Sequence, residues 1–291
     1  MAGLSDALEN EALDHMTNVG AYTCPTTLYL ALFTTNGNFE TGAYAGFTEV
    51  STSGTNYARK TITMSTTSWN NAADASPNGK EVTNKAIAAF QWSAATANWG
   101  TVVGAALVST ASGTWEGTGI GLSFGGALTA SKQVDSGDTF EFPAASISLS
   151  LDKATEAGIA DFWKAELLDH ITKTDASYTA PTTAYVALFT AEPDYITGTG
   201  GTECTSGSYA RKSVTQATGW EIAASGATAN NGAITFTTAT ASWGTVLGAM
   251  LVSTTSGAFD AFAGKTLTAS KPVGDGDTFS IADNDFDITL D

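Results

Sequence analysis

Residues Tyr22–Thr34 read YTCPTTLYLALFT and residues Tyr178–Thr190 read YTAPTTAYVALFT, with 10 of 13 positions identical. The inner run, Leu28–Phe33 and its twin at 184–189, is short and apolar and follows a proline, Pro25 or Pro181. A run of that length bounded by turn residues predicts a strand. Its return at full length predicts that the whole fold is written twice.

Other segments recur in the same order on both sides of this stretch. Leu13-Asp14-His15 returns as Leu168-Asp169-His170, and Tyr57-Ala58-Arg59-Lys60 returns as Tyr209-Ala210-Arg211-Lys212. WGTVVGAALVST from Trp99 returns from Trp243 as WGTVLGAMLVST, with 10 of 12 positions identical. LTASK at Leu128 and Leu267 and GDTF at Gly137 and Gly276 are unchanged. The order is preserved throughout, so this is a tandem duplication with its boundary near Asp152. Repeats of this size are each large enough for a domain, which excludes a solenoid of short units.

Each repeat opens on a helical pattern. Leu4, Leu8, Ala12 and Met16 form one apolar stripe, with Ser5 or Asp6 near the N-cap; Ile159, Phe162, Trp163, Leu167 and Ile171 form the other. Everything after the helix reads as strands. Val102–Val108 and Val246–Val252 suit buried central strands in which Gly104 and Gly248 permit close packing. Lys60–Met64 alternates, as does the closing run Ile147–Leu151. The predicted class is mainly β: two tandem homologous antiparallel β-sandwich (jelly-roll-like) domains, residues 1–152 and 153–291, each with an N-terminal α-helix.

The 291 residues carry 12 Lys+Arg against 29 Asp+Glu, a net charge of −17, and 43% apolar residues. That apolar content supports real cores, and the acidity argues against nucleic acid, whose affinity for proteins comes from Lys and Arg displacing counterions. No apolar run approaches a membrane span, and the first residues lack a secretory pattern, so synthesis in a host cytoplasm is expected. No cofactor is expected either. HExxH, GxSxG and the P-loop pattern are all missing, and the glycines at Gly117, Gly119 and Gly121 lack dinucleotide spacing. His15 and His170 occupy equivalent helical positions beside an Asp that faces elsewhere, which predicts structural or surface histidines. Cys24 and Cys204 align with no cysteine in the other repeat and are read as buried thiols. The acidic groups Asp135/Asp138, Asp275/Asp277 and Asp283/Asp285/Asp287 are weighed as weak calcium sites against solvated turns and strands.

Two residue pairs remain as candidate contacts. Arg59 and Arg211 are the only arginines in the chain. Each is read as an intradomain bridge to a carboxylate or, alternatively, as a contact to a neighbouring subunit. Trp92 and Trp115 lack Trp counterparts and are offered as exposed glycan contacts, whereas the repeated Trp69/Trp220 and Trp99/Trp243 pairs read as core anchors.

Taken as a set, the Leu-Asp-His helix, YTxPTTxYxALFT, YAR, WGT, LTxSK, GDTF and a closing xLxLD strand resemble a family of small tailed-phage virion proteins, described as tail-fibre-like or structural. The usual form is single; here it is duplicated. The resemblance implies a non-enzymatic particle component whose partners are the major capsid protein and/or copies of itself in a homo-oligomer. Because no fibre shaft is visible, the reading favours a capsid decoration (cement) protein on the shell exterior over a tail or tail-fibre component that attaches to host glycans.

Overall fold

A computed structural model describes residues 3–75, 79–87, 90–115, 120–151 and 157–290. The first repeat opens with helix α1 (Asp6–Met16). Ser5 caps it: the hydroxyl accepts from Leu8 N at 3.4 Å and donates to Leu122 O at 2.6 Å. Four strands of the main sheet follow: β1 (Thr27–Thr35), β2 (Lys60–Thr63), β3 (Gly100–Val108) and β4 (Leu122–Val134). The second repeat supplies helix α2 (Asp161–Thr172) and strands β5 (Thr183–Ala191), β6 (Lys212–Thr215), β7 (Gly244–Val252) and β8 (Ala261–Val273).

In the first repeat the sheet runs Gly3–Leu4, β4, β3, β1, Thr48–Glu49, and β2 also pairs with β1. Every pairing is antiparallel. The second repeat has the same order around β8, β7 and β5, with register shifts at the same places: Val102/Gly104 corresponds to Val246/Gly248, and Phe33/Thr35 to Phe189/Ala191. Smaller antiparallel sheets complete each repeat; in the first, Ser148–Leu151 pairs with Lys80–Thr83, and Gln91–Trp92 with Phe140–Glu141. The structure is thus mainly antiparallel β in two similar halves, each opened by a helix. Among the described residues no helix is long and apolar enough to cross a membrane.

The core of each half explains the repeated apolar positions. Phe33, Phe47 and Trp115 pack edge-on or tilted at 4.7–5.9 Å above Ala31, Ala106 and Val108. The second half replaces Ala106 by Met250, and Leu122 and Trp115 by the smaller Ala261 and Phe259, so bulk moves within the cluster. Trp69 is buried between Phe90 and Phe124, both at 5.7 Å, and joins the main sheet to the smaller ones. Phe162 departs from its expected place in the stripe and is 37% exposed. Neighbouring helical residues point about 100° apart, and Trp163 takes the inner position, stacked on Phe262 at 4.6 Å.

The chain divides into two compact units that do not follow the repeats throughout. One contains Met1–Glu9, Thr23–Leu151 and Leu168–Tyr178; the other contains Asn10–Tyr22, Asp152–Leu167 and Thr179–Asp291. Each unit therefore holds the body of one repeat and the helix end of the other. Leu13 and Leu168, which lie off the predicted stripes, are both buried, and each belongs to the unit built mainly from the other repeat.

Gly104 and Gly248 each leave room for the tip of a neighbouring side chain. A methyl group at Gly104 would fall inside the Asn36 side chain, and one at Gly248 would fall on the Tyr195 hydroxyl. Gly104→Ala and Gly248→Ala are each expected to lower the unfolding free energy by about 1–3 kcal/mol, read from the urea midpoint. Unchanged midpoints in both variants would contradict the close approach.

Candidate functional site

The two arginines occupy the same setting in both repeats. Arg59 lies just before β2, and its carboxylate partner Glu49 lies on the short edge strand Thr48–Glu49. Nε donates to Glu49 Oε1 at 2.9 Å and Nη2 to Oε2 at 2.7 Å, a two-point fork. Nη1 donates to the carbonyl and hydroxyl oxygens of Thr110 at 2.8 and 2.9 Å, and Nη2 to Gly113 O at 2.6 Å. Arg211 repeats the set. It reaches Glu203 Oε1 and Oε2 at 2.8 Å each, both Thr254 oxygens at 2.9 Å and Gly257 O at 2.8 Å. A guanidinium has five N–H donors, and all are used here. Each arginine also lies over an aromatic ring, Arg59 over Trp115 at 5.4 Å and Arg211 over Phe259 at 4.8 Å.

A tyrosine extends each clamp into the sheet. Tyr57 OH donates to Glu49 Oε1 at 2.8 Å and accepts from Leu32 N at 2.9 Å; Tyr209 does the same with Glu203 and Leu188 N, both at 2.9 Å. Burial, with the neighbouring carboxylate, drives both phenols well above the ordinary tyrosine range, so they stay protonated donors. Gly113 and Gly257 supply the last carbonyl at φ of +70° and +71°, the left-handed region that glycine enters without cost.

The arrangement is an internal staple. It contains one positive and one negative group, its donors are saturated, and Arg59 is almost fully buried. The guanidinium donors are all engaged, and a hollow of about 490 Å³ lined by Tyr44, Glu49, Arg59 and Gly113 adjoins the clamp of the first repeat. The structure thus places Arg59 and Arg211 on carboxylates of their own repeats. Trp92 and Trp115, read from sequence as exposed contacts, lie in the interior instead, at 4% and 1% exposure. Trp92 donates to Ala58 O at 2.8 Å and packs on Phe140, and Trp115 donates to Gly42 O at 2.6 Å inside the aromatic cluster. Neither presents a ring face to solvent. Their counterparts in the second repeat are Phe236 and Phe259, so these sites require an aromatic ring rather than an indole.

Most of the remaining candidates hold the backbone. His15 Nδ1 accepts from Tyr22 N at 3.3 Å and His170 Nδ1 from Tyr178 N at 3.0 Å, each closing the turn after its helix. Asp138 accepts from Asp135 N and Asp277 from Gly274 N, which makes these turn caps. Asp283 accepts from Gly232 N, and Asp287 pairs with Lys265. Among the described residues no group of three His, Cys, Asp or Glu side chains is placed to hold a metal ion. Gly117 and Gly119 lie outside the described residues. A hollow of about 280 Å³ against β3 and β4 is lined by Leu30, Leu107, Phe124, Phe142 and Ile147 and by no charged side chain.

Sequence reasoning missed Glu49 and Glu203, because the arginine follows them by ten residues in one repeat and eight in the other. It also missed the buried Asn84 and Asn230. Asn230 accepts from Phe286 N at 2.7 Å and donates to Gly232 O and Ala282 O, fixing the bend before the last strand; Asn84 does the same with Ile147 N and Pro143 O. Recurrence in both repeats was the available signal.

Because removing one partner strands a buried charge, Glu49→Ala or Arg59→Ala should cost about 3–5 kcal/mol of stability, measured by thermal or urea unfolding. An Arg59→Ala protein of unchanged stability would mean that the clamp is not structural. The free thiols Cys24 and Cys204 are pushed up by burial, and secondarily by Asp175 and Glu203, to about 12 and about 11. A disulfide reagent at pH 8 should therefore leave the native protein unlabelled and react with both thiols after denaturation; rapid native labelling would contradict their burial.

The family described as podophage GP4 fiber I protein gp80 matches residues 3–150 and, a second time, residues 158–289. No curated protein matches the chain. Both repeats are covered, and the chain belongs to this family of tailed-phage fibre proteins, present here in tandem duplicate.

Proposed function

We propose that the chain is a non-enzymatic structural component of a tailed-phage fibre, a module that docks onto another virion protein or onto copies of itself. The observation that carries this reading is the family match over both repeats. The family description favours a fibre over the capsid-exterior cement role expected from the sequence. The saturated arginine clamps and the hydrogen-bonded histidines support a role without chemistry: the side chains that looked most reactive are spent inside each repeat.

The elements are short for a shaft. The helices that open the repeats have 11 and 12 residues and the longest strands have 13, whereas fibre shafts are built from long periodic repeats. Elements of this length support a position at a junction or tip. Binding to an assembled particle would stabilise that assembly by mass action without any catalytic step.

Purified protein mixed separately with isolated tails and isolated shells, then sedimented, tests the placement. The fibre reading expects saturable binding to tails at a few copies per particle and none to shells. Saturation of shells at many copies per particle would overturn it in favour of decoration.

A further inference from the structure

The Leu-Asp-His motif does a second job, visible once the compact units are taken one at a time. In the unit built mainly from the first repeat, Asp169 accepts from Ala72 N at 2.7 Å. Thr174 N donates to Met64 O at 2.8 Å, and Thr66 gives Asp175 its backbone N–H at 2.9 Å and its hydroxyl at 2.5 Å. Lys173, at 0% exposure, pairs with Asp169 and donates to Asn70 O at 2.8 Å. In the unit built mainly from the second repeat, Asp14 accepts from Ala223 N at 2.6 Å and Asn10 from Gly226 N at 3.0 Å. Ala72 and Ala223 each stand three residues after the equivalent tryptophans, Trp69 and Trp220. The same aspartate thus reaches the same backbone amide of the opposite repeat, in both directions.

The two helix ends are not interchangeable. The second carries Lys173 and Asp175 where the first carries Asn18 and Gly20, and the segment that receives it has Thr66 where its counterpart has Ala217. Seating the first end on the 64–72 segment would leave Asn70 O without its ammonium and Thr66 without its carboxylate. Lys173 is buried, whereas Asn70 is exposed and Thr66 half-buried, so what the first end would forfeit is a set of charge-assisted hydrogen bonds, and the ends discriminate between the two repeats by those bonds.

We propose that segment 64–72 is a recognition surface whose partner is the helix end 168–178 of a second repeat, held without help from the covalent join, so that a second copy of this chain can supply that end by exchange. The full chain with a protease site placed in the 152–156 join tests this. After cleavage, the two fragments should co-elute as one species at micromolar concentration. When cleaved tagged and untagged proteins are warmed together, the tagged first fragment should capture untagged second fragment.

The change Lys173→Asn with Asp175→Gly, which gives the second end the chemistry of the first, should raise the concentration at which the cleaved halves separate roughly tenfold or more. Fragments that part on cleavage, or a cleaved variant that holds as tightly as the parent, would overturn the proposal. In the uncleaved variant, faster amide exchange at residues 64–72 with β3 unchanged confirms a local loss in a folded chain. Unchanged exchange there would equally overturn it.

Discussion

A buried guanidinium bonded at every N–H is the constraint on which each repeat depends. Burying a charge is tolerable only when it is paired and its remaining donors are satisfied. Arg59 meets both conditions by drawing on chain segments far apart in sequence: the edge strand with Glu49, the start of β2, and the carbonyls of Thr110 and Gly113 beyond β3. Tyr57 then ties the same carboxylate to Leu32 in β1. One charge therefore fixes the edge of the main sheet, its central hairpin and its inner strand together. Arg211 does this again with equivalent groups, and a chain of net charge −17 keeps both of its arginines for this purpose.

Much of this architecture could be read from residue patterns, and the parts that could not have physical reasons. The YTxPTT run, the WGTV run and the helical stripes correspond to β1 and β5, β3 and β7, and α1 and α2 because burial there is local to one element. Trp92 and Trp115 were misleading because aromatic count says nothing about which face a ring takes; both turned inward where a backbone carbonyl waited for the indole N–H. The carboxylates of the clamp were hidden because the loop joining Glu49 to Arg59 differs in length from its twin. The helix ends were hidden for a different reason. Their partners lie on the other repeat, and no periodicity within one helix can register that.

Catalytic chemistry needs groups held ready with unsatisfied bonding capacity. Several of the side chains that looked reactive are engaged within the fold. The histidines accept from backbone amides, the paired aspartates cap turns, the thiols are held protonated by burial, and the guanidinia are filled. Fold alone does not determine function, and the functional reading rests on the match of both repeats to a family of fibre proteins.

The most direct test of the account exploits the fact that only two arginines exist. In an ¹⁵N-labelled sample the arginine side-chain Nε–H region should contain just two signals, both sharp, both slow to exchange with solvent and both unmoved when isolated virion tails are added. Rapidly exchanging signals, or signals that shift or broaden selectively when the particle is added, would show that the guanidinia face a partner and would contradict the central claim that they staple each repeat from within.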